Sequence, residues 1–262
     1  MRIMHNISAM NTYGKLAGAT NSQARALEKL SSGYAINRAA DDAAGLAISE
    51  KMRAQIRGLE QAAQNAEDGI SYLQTAEGAL TEVSDMLTRM EELLVQKANG
   101  TYDSGTDVQN IELEVDALMD EIDNILANTK FNGKNVFEES VDIVISDDAT
   151  TSLTISQATT TNLEALTALG GSGLTKDALD LAIDEVNEQR ATYGAQQNRL
   201  EHTLNNLEAT TENLQASESR IRDVDMAKEM TNYTKYNIIT QAATAMLAQA
   251  NQVPQSVLSL LQ

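Results

Sequence analysis

Apolar residues along this chain recur at intervals of three and four, the spacing that gathers side chains on one face of a helix. The clearest run is Leu59, Ala62, Ala66, Ile70, Leu73, Ala76, Leu80, Val83, Leu87, Met90 and Leu94. It has no gap and reads as a heptad seam. It predicts one helix from about Gly58 to Ala98, which at the usual rise per residue spans about 60 Å. A helix of that length outruns a compact domain, so an elongated molecule is expected. Asn99-Gly100 ends it. A second run, Val108, Ile111, Val115, Leu118, Ile122 and Ile125, marks the next helix. Its other faces carry Glu112, Glu114, Asp116, Asp120, Glu121 and Asp123. The short turn between the two helices predicts antiparallel neighbours.

Weaker periodicity marks the ends. Residues 3–32 read as an amphipathic helix through Leu16, Ala19, Gln23, Leu27 and Leu30. Ser31-Ser32-Gly33 breaks it, and Asp41-Asp42 sits well for the start of the next. Helix is expected again from about Thr175 to Asp223, on Leu179, Ile183, Val186, Tyr193, Leu200, Leu204, Leu207, Leu214 and Ile221. Arg190, Gln197, Thr211 and Glu218 interrupt that seam, a pattern that fixes register. A last helix is expected from about Met226 to Ala250. Its apolar face is Met230, Ile238, Ala242, Ala245, Met246 and Val253, with Leu258, Leu260 and Leu261 beyond Pro254.

Only the middle changes character. Phe131-Asn132-Gly133-Lys134 is a turn signal. Val141, Ile143 and Ile145, followed by Leu153 and Ile155, predict a small β-hairpin. Gly170-Gly171-Ser172-Gly173 reads as a flexible hinge. The expected fold class is mainly α: an elongated antiparallel helical bundle or coiled coil with a small β-hairpin in the middle. A chain that runs out, turns over and returns brings its ends together, so the two terminal segments are expected to pair as a terminal coiled coil. Each is poor in apolar surface, and a free helix of that kind is marginal in water. Both ends are therefore expected to become ordered when copies associate.

Composition agrees with thin helix seams. Aromatic residues make up 3% of the 262, Trp is absent and Pro254 is the single proline. The 38 acidic and 19 basic residues give a net charge of −19. That sign argues against nucleic acid and against anionic membrane surfaces. The opening residues Met1 to Ser8 lack an apolar core and a small-residue cleavage site, so no ordinary secretory signal is expected. The uncharged tail from Tyr236 to Gln262 is broken throughout by Gln, Asn, Ser and Thr, which a membrane span would not tolerate. The ten methionines are read as seam fillers.

Catalytic chemistry finds no foothold. The chain has no cysteine and two histidines, His5 and His202, in separate helical segments. No metalloprotease pair, Cys/His metal cluster, phosphate loop or nucleophile elbow can be drawn. His202, within Arg199-Leu-Glu-His-Thr, reads as a helix-surface residue. No catalytic, cofactor-binding or metal site is expected, and the chain is not read as an enzyme.

Longer motifs carry a resemblance. The stretch from Leu30 through Ser-Ser-Gly-Tyr-Ala-Ile-Asn-Arg-Ala-Ala-Asp-Asp-Ala-Ala-Gly to Met52 resembles the N-terminal signature of bacterial flagellin. Ser217-Glu-Ser-Arg-Ile-Arg-Asp-Val-Asp-Met-Ala-Lys-Glu-Met230 resembles its C-terminal signature, and Ala245 to Gln252 and Thr129 to Gly133 resemble further segments. The likeness covers roughly residues 1–137 and 176–262.

The resemblance implies a structural subunit that polymerises into the flagellar filament and serves motility. It implies that 1–33 and 226–262 form an inner coiled-coil layer, joined by spokes at 34–44 and 221–225. Residues 45–137 and 175–220 would form a long-helix rod domain, and 138–174 a β-hairpin with a short variable connection. Leu16, Leu27, Leu30, Ile238, Met246, Leu258 and Leu261 would be the inner-layer assembly residues. Type III export without a cleaved signal places the protein in the extracellular filament. Implied partners are further copies of the chain, an export chaperone on the C-terminal segment, and the filament cap and junction proteins. Toll-like receptor 5 is a further implied partner, with Arg89, Leu93 and Glu114 matching its contact residues. Glu91 stands where many recognised members carry Arg, and Tyr34-Ala35 replaces a Leu-Arg pair. A hook–filament junction protein of the same family is the alternative reading.

Overall fold

The computed structural model describes the backbone of residues 6–101, 103 and 105–260, and side chains as far as residue 252. The chain divides into two units, Met1–Ala54 with Asn213–Gln262, and Gln55–Glu212. Helix α1 (Ile7–Ser32) and helix α7 (Met226–Leu260) lie in the first. Helix α2 (Ala43–Lys97) and helix α6 (Lys176–Arg222) contribute to both.

In the second unit the heptad seam of α2 is buried as its spacing demands. Ala62, Ala66, Leu73, Ala76, Leu80, Val83, Leu87 and Met90 lose nearly all contact with solvent. From Ala66 onward they pack with Ile111, Val115, Met119 and Ile122 of α3 (Asp107–Asn128) and with Leu179, Ala182, Val186, Tyr193 and Leu200 of α6. Alanines along the seam let backbones approach, while each buried leucine contributes about 1.5–3 kcal/mol through removal of apolar surface from water. At the end of the run the sequence reading needs correction. Leu93 is the core residue, and Leu94 is half-buried at its edge.

The middle holds two hairpins. β1 (Lys130–Phe131) pairs antiparallel with β2 (Lys134–Asn135), with Phe131 opposite Lys134. Asn132 and Gly133 between them have φ of 50° and 85°. Two successive positive values are what the tight mirror-image turn requires, and they explain the Asn-Gly pair. Asn135 closes the end of α3 by donating its side-chain N–H to the carbonyls of Leu126 and Ala127. Tyr72 of α2 donates its hydroxyl to the Val136 carbonyl and meets the Phe131 ring edge-on. The predicted hairpin is present as β3 (Val141–Val144) and β4 (Ser152–Ile155), with Val141 opposite Ile155. Its inward residues Leu153 and Ile155 join the core.

Two short helices were not legible in the sequence. α4 (Thr161–Thr167) buries Leu163 and Leu166. Its free N-terminal amides are satisfied from a distance: the buried Glu185 carboxylate of α6 accepts from the N–H of Asn162 and of Leu163. The predicted hinge at Gly170–Gly173 is instead a single helical turn, α5. Asp116 of α3 accepts from the Gly171 N–H at 2.6 Å, and Lys97 donates to the Gly171 carbonyl. A Cβ at Gly171 would stand 2.6 Å from the Glu112 carbonyl oxygen, so glycine is chosen here for close approach and not for flexibility.

The last helix also departs from expectation, running to Leu260 and not stopping near Ala250. Pro254 has no N–H to give the carbonyl of Ala250, the usual break in a helix. In this fold the Asn6 side chain donates to that carbonyl at 2.8 Å, which removes the penalty of leaving it unpaired.

Candidate assembly surface

Helices α1 and α7 of the first unit pair antiparallel: Asn6 meets Ala250, and the Thr240 hydroxyl donates to the side-chain oxygen of Gln23. The side chains partly or fully covered on α1 include Ala9, Thr12, Leu16, Ala19, Gln23, Ala26 and Leu30. On α7 they include Tyr233, Tyr236, Thr240, Ala243, Leu247 and Ala250. Both sets repeat at the coiled-coil interval. The seam is thin. Ala19 and Ala26 are the buried residues of α1, and none between Met226 and Gln252 is buried.

The seam is not the apolar face that sequence reading assigned to α7. Met230, Ile238, Ala242, Ala245 and Met246 all point outward, with Ile238 and Met246 each 61% exposed. On α1 Leu27 faces out as well, along with Ile7, Met10 and Tyr13. Of the expected assembly residues, Leu16 and Leu30 lie half-buried in the seam, and Leu27, Ile238 and Met246 lie on the outer faces. The side chains of Val253 and Leu258, and all of His5 and Leu261, lie outside the described residues. The methionines divide accordingly: Met90 and Met119 fill the second unit's core, while Met10, Met226, Met230 and Met246 are exposed. His202 is exposed on α6.

A connecting clasp follows α1. Gly33 ends that helix with φ of 78°, its N–H bonding the Lys29 carbonyl. Tyr34 then bridges to Asp223: the Ala35 N–H donates to the Arg222 carbonyl, and the Val224 N–H to the Gly33 carbonyl. The Arg222 guanidinium stacks 4.9 Å from the Tyr34 ring centre and pairs with Glu50. The cation over this aromatic face is thus supplied by the far end of the chain, from Arg222 at the end of α6. Ile36 is buried. Asp41 accepts from the N–H groups of Arg38 and Asn37, and these bonds, Arg38 foremost, hold its carboxyl below the usual 3.8. Asp42 caps α2 by accepting from Ala44 and Gly45.

The residues matched to receptor contacts lie in the second unit. Arg89 bonds Glu92 and Glu114, both at 2.9 Å, and these partners, Glu92 foremost, push its pKa up. Arg89 and Glu114 are each about half exposed. Leu93 does not share that surface. At 1% exposure it is packed into the core, and a partner cannot reach its side chain without opening that core. Glu91 lies 3.7 Å from Lys176 of α6, an opposite charge that an arginine at this position would repel. No group of His, Asp or Glu among the described residues is arranged to hold a metal ion.

Two family models match the chain: the bacterial flagellin N-terminal helical region over residues 3–142 and the bacterial flagellin C-terminal helical region over 176–261. The chain belongs to the bacterial flagellin family. It is 48% identical to the flagellin of Bacillus subtilis (strain 168) over 304 aligned residues and 50% identical to the flagellin of Halalkalibacterium halodurans over 272. It is 46% identical to the flagellar filament 33 kDa core protein of Treponema phagedenis. In each case the whole of both chains is covered. Between the two matched regions only 143–175 remain, taken up by the hairpin, α4 and α5, so this flagellin has no large variable domain. Flagellins are structural proteins, not enzymes: they assemble with copies of themselves into the flagellar filament outside the cell. No helix among the described residues is long and apolar enough to cross a membrane.

Proposed function

We propose that the paired terminal helices, residues 1–33 and 226–262, form the inner layer of the filament, held by the apolar faces that α1 and α7 turn away from each other. One observation carries this reading. Ile7, Met10, Leu27, Met230, Ile238 and Met246 stay exposed on a unit that buries little of its own, and exposed apolar surface of this kind marks association. Open helical assembly repeats the same contact between copies, so one outward face on each helix suffices. Residues 34–44 and 221–225 act as the spoke, held by the Tyr34, Arg222 and Glu50 clasp. Before assembly the uncharged stretch from Tyr236 to Gln262 serves the export chaperone as a helix for its groove. At the ends of the polymer it meets the cap and junction proteins.

The test is polymerisation of an Ile238→Asp/Met246→Asp variant on wild-type seeds. We expect normal helical circular dichroism in the monomer with filament growth lost. Growth at the wild-type rate at equal concentration would overturn the reading.

A second reading rests on the exposed Arg89, Glu92 and Glu114 cluster. Toll-like receptor 5 engages Arg89 and Glu114 on the monomer, and Leu93 contributes by setting the helix beneath them. Arg89→Ala should weaken receptor signalling at equal monomer dose, and unchanged signalling would refute it.

A further inference from the structure

The chain contains two Asn-Gly pairs, Asn99-Gly100 and Asn132-Gly133. Both share a latent chemistry. The glycine nitrogen, unhindered by a neighbouring Cβ, can lose its proton and attack the asparagine Cγ. A C–N bond forms, ammonia leaves, and a five-membered succinimide results. Water then opens either carbonyl, giving aspartate or isoaspartate. The net change is amide plus water to carboxylate plus ammonium, with no oxidant or reductant.

The fold treats the two pairs differently. Asn132 is locked in the two-residue turn, with φ of 50° and the β1–β2 register closing on both sides. Phe131 next to it is held edge-on against Tyr72. Closing the ring there requires the asparagine backbone to leave its left-handed conformation and the hairpin to open. Asn99 lies just past the end of α2, exposed, in a turn that no strand pairing fixes. Its side-chain oxygen accepts from the Thr101 N–H at 3.3 Å, which folds the carboxamide back over the Gly100 peptide. Among the described residues Gly100, like Gly133, meets nothing within 4 Å of where a Cβ would stand, so the difference between the two pairs lies in the backbone that holds the asparagine.

We propose that Asn99 is a non-enzymatic deamidation site of this protein and that the hairpin shields Asn132. The product places a negative charge at the C-terminal end of α2, where the helix dipole opposes it. It lies two residues from Lys97, whose ammonium joins Glu112 at 2.8 Å and the Gly171 carbonyl. The modification therefore loosens the attachment of α5. In a subunit that stays outside the cell, it accumulates with the age of the filament.

Full-length protein held in warm, mildly alkaline buffer tests this by peptide mass mapping and isoaspartyl methyltransferase labelling. In the folded protein, conversion at Asn99 should outrun that at Asn132 by about tenfold, the ratio set by about 1.4 kcal/mol of extra local opening. In urea the two rates should converge. Asn99→Gln should remove most of the labelling and leave the circular dichroism intact. Faster conversion at Asn132 in the folded protein, equal rates at the two sites without urea, or unchanged labelling in Asn99→Gln would each overturn the proposal.

Discussion

Leu73, Leu80, Leu87 and Met90 on α2 are almost wholly buried, whereas Met230, Ile238 and Met246 on α7 are at least half exposed. Both sets sit on long helices with apolar residues at helical spacing. They differ in what the same chain can put opposite them. The second unit supplies α3, α6, two hairpins and two short helices to cover its seam. In the first unit, α1 and α7 offer each other mostly alanine, threonine, glutamine and tyrosine. An apolar stripe therefore becomes core in one unit and stays exposed in the other. Burial within one chain is a property of neighbours as much as of pattern.

The sharpest way to break this comparison is to truncate one side chain from each stripe. Leu87→Ala should cost the monomer about 3 kcal/mol, as a fully buried leucine does when a cavity is left behind. Urea denaturation measures it, and a loss below about 1 kcal/mol would show the seam to be loosely packed. Gly171→Ala comes next. Its Cβ would press on the Glu112 carbonyl, so α5 must shift, at about 1–3 kcal/mol. Amide exchange confined to 168–175 would locate the damage. A variant as stable as the parent would return this segment to the role of a hinge.

Glu185→Ala should follow, at about 1–2 kcal/mol, by stripping the acceptor from two amides at the start of α4. The smallest effect on the monomer is expected from Ile238→Ala. It should change monomer stability by no more than about 0.5 kcal/mol because the side chain is already in water. The same variant should raise the concentration needed for polymerisation, read by sedimentation. A large loss of monomer stability would mean that the outer face of α7 is covered within one chain.

Acid probes the segment between α1 and α2. The carboxyl of Asp41 is held below its usual value by backbone N–H groups. Its contribution to the segment between α1 and α2 is therefore complete at neutral pH and is lost as pH falls through the lowered value. Carboxyl chemical shifts should place its midpoint below 3.8, and exchange protection at Asn37 and Arg38 should fall with it.

The sequence carried the long helices plainly, because seams such as Leu73 to Leu87 repeat without interruption and every residue on the stripe is apolar. It carried the Asn132-Gly133 turn and the β3–β4 hairpin through turn chemistry and alternation. It did not carry α4 and α5. Seven and four residues are too few to show a helical period, and both are held by acceptors far along the chain, Glu185 and Asp116. It also placed Leu94 and not Leu93 on the seam. With leucines at 93 and 94, one-dimensional spacing allows either to point inward, and the choice falls to the packing of α3.

By itself, then, the order of residues determined the long helices, the turns of the two hairpins and the family motifs, since these depend on spacing and on neighbours a few residues away; it did not fix every helix end, since α2 begins at Ala43 and not near Gly58, and α7 ends at Leu260 and not near Ala250. The tertiary structure decided which stripe is covered and which stays open, why Gly171 must lack a side chain, and how α7 continues past Pro254 with Asn6 serving the carbonyl of Ala250. Each of those outcomes depends on a group tens to hundreds of positions away, and only the folded backbone brings it within hydrogen-bonding or van der Waals reach.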